Sequence, residues 1–140
     1  MWTNDYDQLL AEWAALREQG KDLPLKETLI LVNDWWWQSP IINPYLHIAD
    51  PEDWPSPWDL LAEKGFCDLA KSLGMCYTLL LMRHKEINSL RIVQTDNYTL
   101  VLVNDQYVLN EQLGDVTADL TDIRIVHSVD GQVLKNKLKI

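Results

Sequence analysis

The chain has 140 residues, a formal net charge of -9 at pH 7 and a hydrophobic fraction of 47%. Its length and apolar content predict a single domain, 1–140, with one substantial core. The negative charge argues against direct binding to nucleic acid or to an anionic membrane. The first ten residues, MWTNDYDQLL, contain no basic region followed by an apolar run, so we expect no signal peptide.

The N-terminal part, 1–64, is predicted to be helical and rich in proline and tryptophan. Residues 4–18 carry apolar side chains at a spacing of three and four, which predicts an amphipathic helix that ends near Gly20. Residues 25–38 are consistent with either a helix or a buried strand, and we favour the helix because their charged side chains suit a solvated edge.

A proline-rich segment follows. Prolines at 40, 44, 51, 55 and 57 exclude a regular element over this stretch, but its tryptophans and Tyr45 predict an ordered segment packed over the core. Ser56 followed by proline predicts a short helix over 57–63.

A central helix is predicted over 65–83, from about Phe66 to Arg83. Its second half is apolar nearly all round, which is typical of a helix that is buried on every side. The period then changes to two, and 86–140 is predicted to form an antiparallel sheet. The fold class is therefore α+β, with N-terminal helices and a central buried helix packed on about four to five strands.

Two hairpin turns are predicted within this sheet. Asn104 and Asp105 both tolerate a positive φ and predict a tight turn between two strands. Residues 123–129 read as a further strand, and Asp130-Gly131 predicts a second turn into a last strand over 132–140.

Cys67 is the candidate nucleophile, because the first turn of a helix favours the thiolate form of a cysteine. A thiol also needs a general base, usually a histidine. His84 lies one helix length away, roughly 25 Å, and His47 lies in the proline-rich segment. His127 is on a strand that could pass beside the helix start. The alternative, which we favour, is that Cys67 is a small apolar core residue, as free cysteines often are.

A resemblance bears on this choice. The residues Gly65, Cys67 and Ala70, with Leu73 and Gly74 behind them, resemble the start of the central helix in transglutaminase-like or papain-like cysteine hydrolases. In that family a strand then supplies a histidine and the next strand supplies an aspartate.

This chain departs from the family pattern at two of the three positions. Asn110 stands where the resemblance places the aspartate, and Asn97 to Thr99 stand near the place of the histidine. The resemblance therefore implies a fold that was kept after catalysis was lost, unless His127 supplies the base and Asn110 orients it.

A second resemblance concerns the N-terminal half. The phrase WPSPWDLL and its neighbours are similar to small proteins of tailed bacteriophages. The resemblance implies a viral source, with the protein in the host cytoplasm or in the virion, and it implies no particular activity.

Tryptophan is unusually frequent, and three of the seven are consecutive. Adjacent side chains cannot all face one core, and tryptophan is enriched at the energetic centres of interfaces. The predicted partner-binding residues are Trp35, Trp36, Trp37, Trp54 and Trp58. The alternative is that these rings stack on the prolines and close a small core over the helices.

Three functions remain open at this stage. The leading prediction is a non-catalytic viral structural, assembly or host-interaction protein that binds a protein partner or self-associates. The second is a cysteine hydrolase, a peptidase or amidase, with Cys67 as nucleophile. The third is an acidic inhibitor of a nucleic-acid-binding host enzyme. We expect no cofactor and no metal, because the histidines and cysteines lack ligand spacing.

Overall fold

The structure, a computed structural model, describes residues 2–139 and, for Asp122, the backbone alone. Within these residues the helices and strands follow in the order α1 (Tyr6–Gly20), α2 (Leu25–Trp37), α3 (Pro57–Leu61), α4 (Asp68–Met82), β1 (Leu90–Gln94), β2 (Thr99–Val103), β3 (Tyr107–Leu109), β4 (His127–Asp130) and α5 (Gly131–Leu138). The predicted α+β class is confirmed.

Helices α1 and α2 form the N-terminal layer. The carboxylate of Asp5 accepts a hydrogen bond from the backbone N–H of Gln8 at 3.1 Å and caps α1. Residues 25–38 are helical, as we favoured, because burial recurs every three or four positions. The buried side chains of α2 are Leu25, Thr28, Leu29, Val32, Asn33 and Trp36.

Helix α4 is the centre of the molecule. Every residue of it except Asp68 and Leu81 is buried. It contacts all four other helices and strands β1 and β2. Gly74 allows the closest of these contacts, because a Cβ there would lie 2.5 Å from the indole of Trp36. The predicted central helix is thus confirmed, although it begins at Asp68 and not at Phe66.

The four strands form one antiparallel sheet in the order β3-β2-β1-β4. Asn104 and Asp105 have φ values of 55° and 50° and form the tight turn that the sequence predicts. One face of the sheet packs on α4. The other face carries a smaller apolar cluster of Val93, Leu100, Leu102 and Val108, which is covered by residues from 118–123.

The predicted last strand is wrong, and so is the predicted turn before it. Asp130 accepts a hydrogen bond from the backbone N–H of Gln132 at 2.8 Å, so it caps α5 instead of opening a hairpin. Leu134 and Leu138 then fall on one face at helical spacing. Gly131 allows close approach to β1, since a Cβ there would lie 2.6 Å from the carbonyl oxygen of Leu90. The preceding strand is also shorter than predicted and begins at His127, not at 123.

The proline-rich segment is ordered and contributes Ile48 and Trp54 to the core.

None of the described helices has the length and hydropathy that a bilayer crossing requires.

Candidate functional site

The candidate site lies at the N-terminal end of α4. Cys67 is the N-cap residue of this helix and not part of its first turn. The residue before it is held by the proline-rich segment, because the N–H of Phe66 donates to the carbonyl of Pro40 at 2.9 Å and the carbonyl of Phe66 accepts from Ile42 at 3.1 Å. These contacts bury Cys67, which is only 1% exposed.

Asn110 joins this end of α4 to the sheet. It follows β3 with a φ of 69°, which turns its side chain back toward the helix. The amide nitrogen lies 2.9 Å from Oδ1 of Asp68, 3.0 Å from the Asp68 carbonyl, 3.0 Å from Oγ of Ser72 and 3.1 Å from the Thr99 carbonyl. Its backbone N–H donates to the side chain of Asn33 on α2 at 2.8 Å. One residue thus connects the first turn of α4, strand β2 and helix α2.

Thr99 completes this cluster at the place where the family resemblance expects a histidine. Its backbone N–H donates to Oδ2 of Asp68 at 2.7 Å, and its carbonyl accepts from Ser72 at 3.1 Å. Burial raises the pKa of Asp68, while the hydrogen bonds from Thr99 and Asn110 and the charge of Lys71 oppose the shift. We call Asp68, Ser72, Thr99 and Asn110 the Asn110 cluster. It contains no imidazole.

A cavity of about 400 Å³ opens beside the cluster. Its lining includes Cys67, Asp68 and Thr99 and also His47, which the proline-rich segment contributes. Sequence reasoning did not select His47, because it precedes the cysteine by twenty positions and only the path of an irregular segment decides where it lies. The histidine that shares this cavity with Cys67 is therefore His47 and not the predicted His127.

His127, the predicted base, lies at the start of β4. It is exposed and pairs across the sheet with Gln94 on β1, and Gln94 lines the cavity while His127 does not. Of the predicted catalytic residues, the structure brings Cys67 and Asn110 to the same end of α4 and places His127 one strand beyond the cavity wall.

Tyr45 is a further polar residue near Cys67. Its hydroxyl donates to the carboxylate of Glu63. Burial, together with this carboxylate, raises the pKa of Tyr45, and a thiolate at Cys67 would disfavour the phenolate further. Burial also raises the pKa of Glu63. Tyr45 is therefore a permanent hydrogen-bond donor that holds the proline-rich segment to the residues before α4.

The predicted partner-binding tryptophans separate into core and surface. Trp36 and Trp54 are buried, and their indole N–H groups donate to Thr78 and to the His47 carbonyl. A buried indole cannot contact a partner, so these two residues are removed from the predicted surface. Trp35 and Trp37 are half-buried. Trp58 is 50% exposed and remains as the principal candidate of the set.

No protein-family model and no curated protein sequence matches this chain. Its structure is similar to that of Legionella pneumophila LapG, with a TM-score of 0.68 and 16% sequence identity over 91% of this chain and 76% of LapG. This likeness shows that the chain and LapG share a fold. At this level of identity the similarity concerns the fold alone.

Proposed function

We propose that this protein uses a cysteine-hydrolase-like fold without catalysis and acts by binding a protein partner, as a structural, assembly or host-interaction protein of a tailed bacteriophage. The observation that carries the proposal is the Asn110 cluster, in which Thr99, near the position where the resemblance expects a histidine, hydrogen-bonds to Asp68 and Ser72.

A thiol nucleophile requires a base within hydrogen-bond reach and a third group that orients the base. Here the backbone N–H of Thr99 donates to the carboxylate of Asp68 at 2.7 Å, and the cluster contains no imidazole. The Asn110 amide nitrogen is surrounded by four acceptors of α4 and β2. These bonds stabilise the junction of helix and sheet, which is a structural role.

Trp58 supports a binding role. Its ring lies edge-on to Trp13 at a centroid distance of 6.4 Å, and its carbonyl accepts a hydrogen bond from the hydroxyl of Tyr6 at 3.1 Å. The indole is therefore held in place although half of its residue surface is open to solvent. A fixed, exposed tryptophan contributes contact area at little cost in conformational entropy and is typical of interface centres.

The proposal is tested by alkylation of the native protein with iodoacetamide over a range of pH, with the labelled cysteine identified by peptide mass spectrometry. We expect no labelling of Cys67 in the folded protein and labelling of both cysteines once it is unfolded. Rapid labelling of Cys67 in the folded state, together with hydrolysis of a peptide or amide substrate, would contradict the proposal.

A second candidate is a cysteine hydrolase in which Cys67 is the nucleophile. The specific observation in its favour is that Cys67 and His47 line the same cavity. The thiol proton would pass to the imidazole of His47, and the thiolate would attack the carbonyl carbon of an amide or peptide bond. The carbon–nitrogen bond would then break, with the imidazolium giving its proton to the leaving amine. Water would hydrolyse the resulting thioester, which releases the carboxylic acid and restores the thiol. In this case His47→Ala abolishes rapid labelling of Cys67, whereas His127→Ala, the matched control outside the cavity, leaves it unchanged. The opposite result would assign the base to His127.

A further inference from the structure

A groove of about 780 Å³ lies at the other end of α4 from Cys67. Three parts of the chain form it: the C-terminal turn of α4, the segment that leads into β1, and the junction of β4 with α5. The volume is within the ~300–1,000 Å³ that is usual for ligand sites. None of the residues of the Cys67 cavity lines this groove.

The groove has an apolar lining and a basic edge. Its apolar side chains are Leu79, Leu80, Ile87 and Leu90, all buried or half-buried. Arg83, Lys85 and Lys135 are exposed along it, and no described carboxylate forms an ion pair with any of them.

Two carboxylates lie in or beside the groove. Asp130 is the one carboxylate in the lining, and its Oδ1 accepts the backbone N–H of Gln132 at 2.8 Å. Glu86, just outside the lining, has its carboxylate 3.9 Å from Nε2 of His84. Because three cations, Arg83, Lys85 and Lys135, outnumber these two carboxylates, the formal charge around the groove is positive.

The positive charge of the groove is opposite in sign to that of the whole chain, which has 21 acidic and 12 basic residues. Arg83 and Lys85 follow the C-terminal end of α4, where a cation interacts favourably with the negative end of the helix dipole. Lys135 comes from the last turn of α5, a separate helix that also lines the groove. Two separate elements thus bring unpaired cations to one concave surface.

The wall that carries Arg83 and Lys85 is held rigidly. His84 between them is buried, with Nε2 at 2.7 Å from the Leu23 carbonyl and Nδ1 accepting the N–H of Glu86 at 3.2 Å. Both ring nitrogens are engaged, so the imidazole fixes this turn against the loop between α1 and α2. A preformed wall lowers the entropic cost of binding.

We propose that this groove binds a short acidic segment of a protein partner, with an apolar side chain on Leu79, Leu80, Ile87 and Leu90 and carboxylates at Arg83, Lys85 and Lys135. The apolar lining favours a peptide over a nucleic acid, because a phosphate backbone would leave these apolar side chains without a contact. The inference rests on the proposed function only in assigning the ligand to a protein, and it is independent of the reactivity of Cys67.

The test uses a fluorescein-labelled peptide of about eight residues, glutamates around two leucines, and measures binding to the full chain by fluorescence anisotropy and by amide chemical shifts. We expect saturable binding with shifts at the groove. The triple variant Arg83→Glu, Lys85→Glu and Lys135→Glu should weaken it by at least about tenfold, roughly 1.4 kcal/mol.

The matched control is the triple variant Lys26→Glu, Lys64→Glu and Lys139→Glu, which makes the same change in net charge with exposed residues outside the groove lining. An equal loss of affinity in this control would overturn the proposal, because charge alone would then explain the binding. A triple Gln variant at Arg83, Lys85 and Lys135 tests the same contacts if the Glu variant does not fold.

Three further probes decide the chemistry. A peptide with serine in place of leucine should bind more weakly, and unchanged affinity would contradict the role of the apolar lining. A single-stranded oligonucleotide of equal charge should bind more weakly than the peptide, and tighter binding would assign the groove to nucleic acid instead. Shifts at the Cys67 cavity and none at the groove would also overturn the proposal, without bearing on whether Cys67 is catalytic.

Discussion

Two buried polar clusters lie along α4, and both are organised around one small side chain. Near the middle of the helix, Oγ1 of Thr78 accepts the indole N–H groups of Trp13 at 2.8 Å and Trp36 at 3.0 Å and donates to the Gly74 carbonyl at 2.7 Å. We call this the Thr78 cluster. At the first turn, the Asn110 amide nitrogen is bound by acceptors of α4 and β2.

The two clusters differ in what surrounds them. The Thr78 cluster contains no titratable group and is enclosed by helices. The Asn110 cluster contains the carboxylate of Asp68 and adjoins the cavity of Cys67. Both satisfy their buried donors within the protein, which is the usual requirement for a stable core. The Asn110 cluster is a candidate site only because it lies beside the cavity of Cys67. Its hydrogen bonds are those of a structural junction.

The largest expected effect is at the Thr78 cluster. Thr78→Val keeps the shape of the side chain and removes the hydroxyl, which leaves two buried indole N–H groups without an acceptor. At about 1–3 kcal/mol for each of the two unsatisfied donors, we expect a loss of roughly 2–6 kcal/mol in the free energy of unfolding. Urea denaturation measures it. Thr78→Ser retains the hydroxyl and is the control, and an equal loss in both variants would mean that packing and not hydrogen bonding explains the effect.

The next largest effect is at Asn110, where two variants separate the contribution of the amide hydrogen bonds to stability from that of the positive φ. Asn110→Ala removes the amide and retains a φ of 69°, which is unfavourable for alanine. We expect a loss of about 2–3 kcal/mol, since several buried acceptors lose a donor. Asn110→Gly removes the same amide without the backbone strain and should be more stable than the alanine variant by about 1 kcal/mol. Equal stability of the two variants in urea would show that the positive φ carries no cost.

A smaller effect is the pH dependence contributed by Asp68. Burial raises the pKa of Asp68 above its ordinary value of 3.8 in the folded protein, so the folded state holds more protons than the unfolded state just above that pH. The contribution of Asp68 to stability is therefore present at low pH and is lost as the pH rises from 3.8 through the folded pKa.

Asp68→Asn removes this titration, so the decline in stability with rising pH should be shallower in the variant than in the native chain. Thermal unfolding across this pH range gives the two slopes. The comparison uses the difference between slopes because the variant also loses a hydrogen-bond acceptor, which shifts stability at every pH. Glu63, whose pKa is raised in the same direction, is present in both proteins and cancels. A steeper decline in the variant would contradict the shift at Asp68.

The regular parts of the fold were predictable from local pattern. The all-apolar second half of α4 and the turn at Asn104 and Asp105 depend on burial and on backbone preference, which short stretches of sequence carry. The C-terminal helix α5 was not predicted, because Asp-Gly favours a hairpin turn as well as a helix cap. The choice between them is made by the contact of Gly131 with the carbonyl of Leu90, more than forty positions earlier.

The site was predictable only in part, for the same reason. Cys67 and Asn110 lie next to regular elements, so their approach follows from the order of helix and strands. His47 lies on an irregular segment whose path is decided by contacts such as the bond from the Trp54 indole to its carbonyl. Trp36 was expected at a surface because three adjacent tryptophans cannot share one face, but the space at Gly74 lets this one enter the core.

The smallest expected effect compares the two clusters directly, through local opening. If the Asn110 cluster holds the N-terminal end of α4 against β2, its loss should expose Cys67 without unfolding the rest of the helix. Cys76 lies near the middle of α4, is fully buried, and reports on global unfolding. We expect Asn110→Ala to raise the ratio of Cys67 to Cys76 alkylation in the folded protein, and Thr78→Val to raise both rates together with little change in their ratio. Quantitative peptide mass spectrometry after timed exposure to iodoacetamide gives both rates in one sample, so differences in global stability between the variants cancel. A ratio that rises equally in the two variants would mean that α4 opens as one unit, and the Asn110 cluster would then have no local control over access to Cys67.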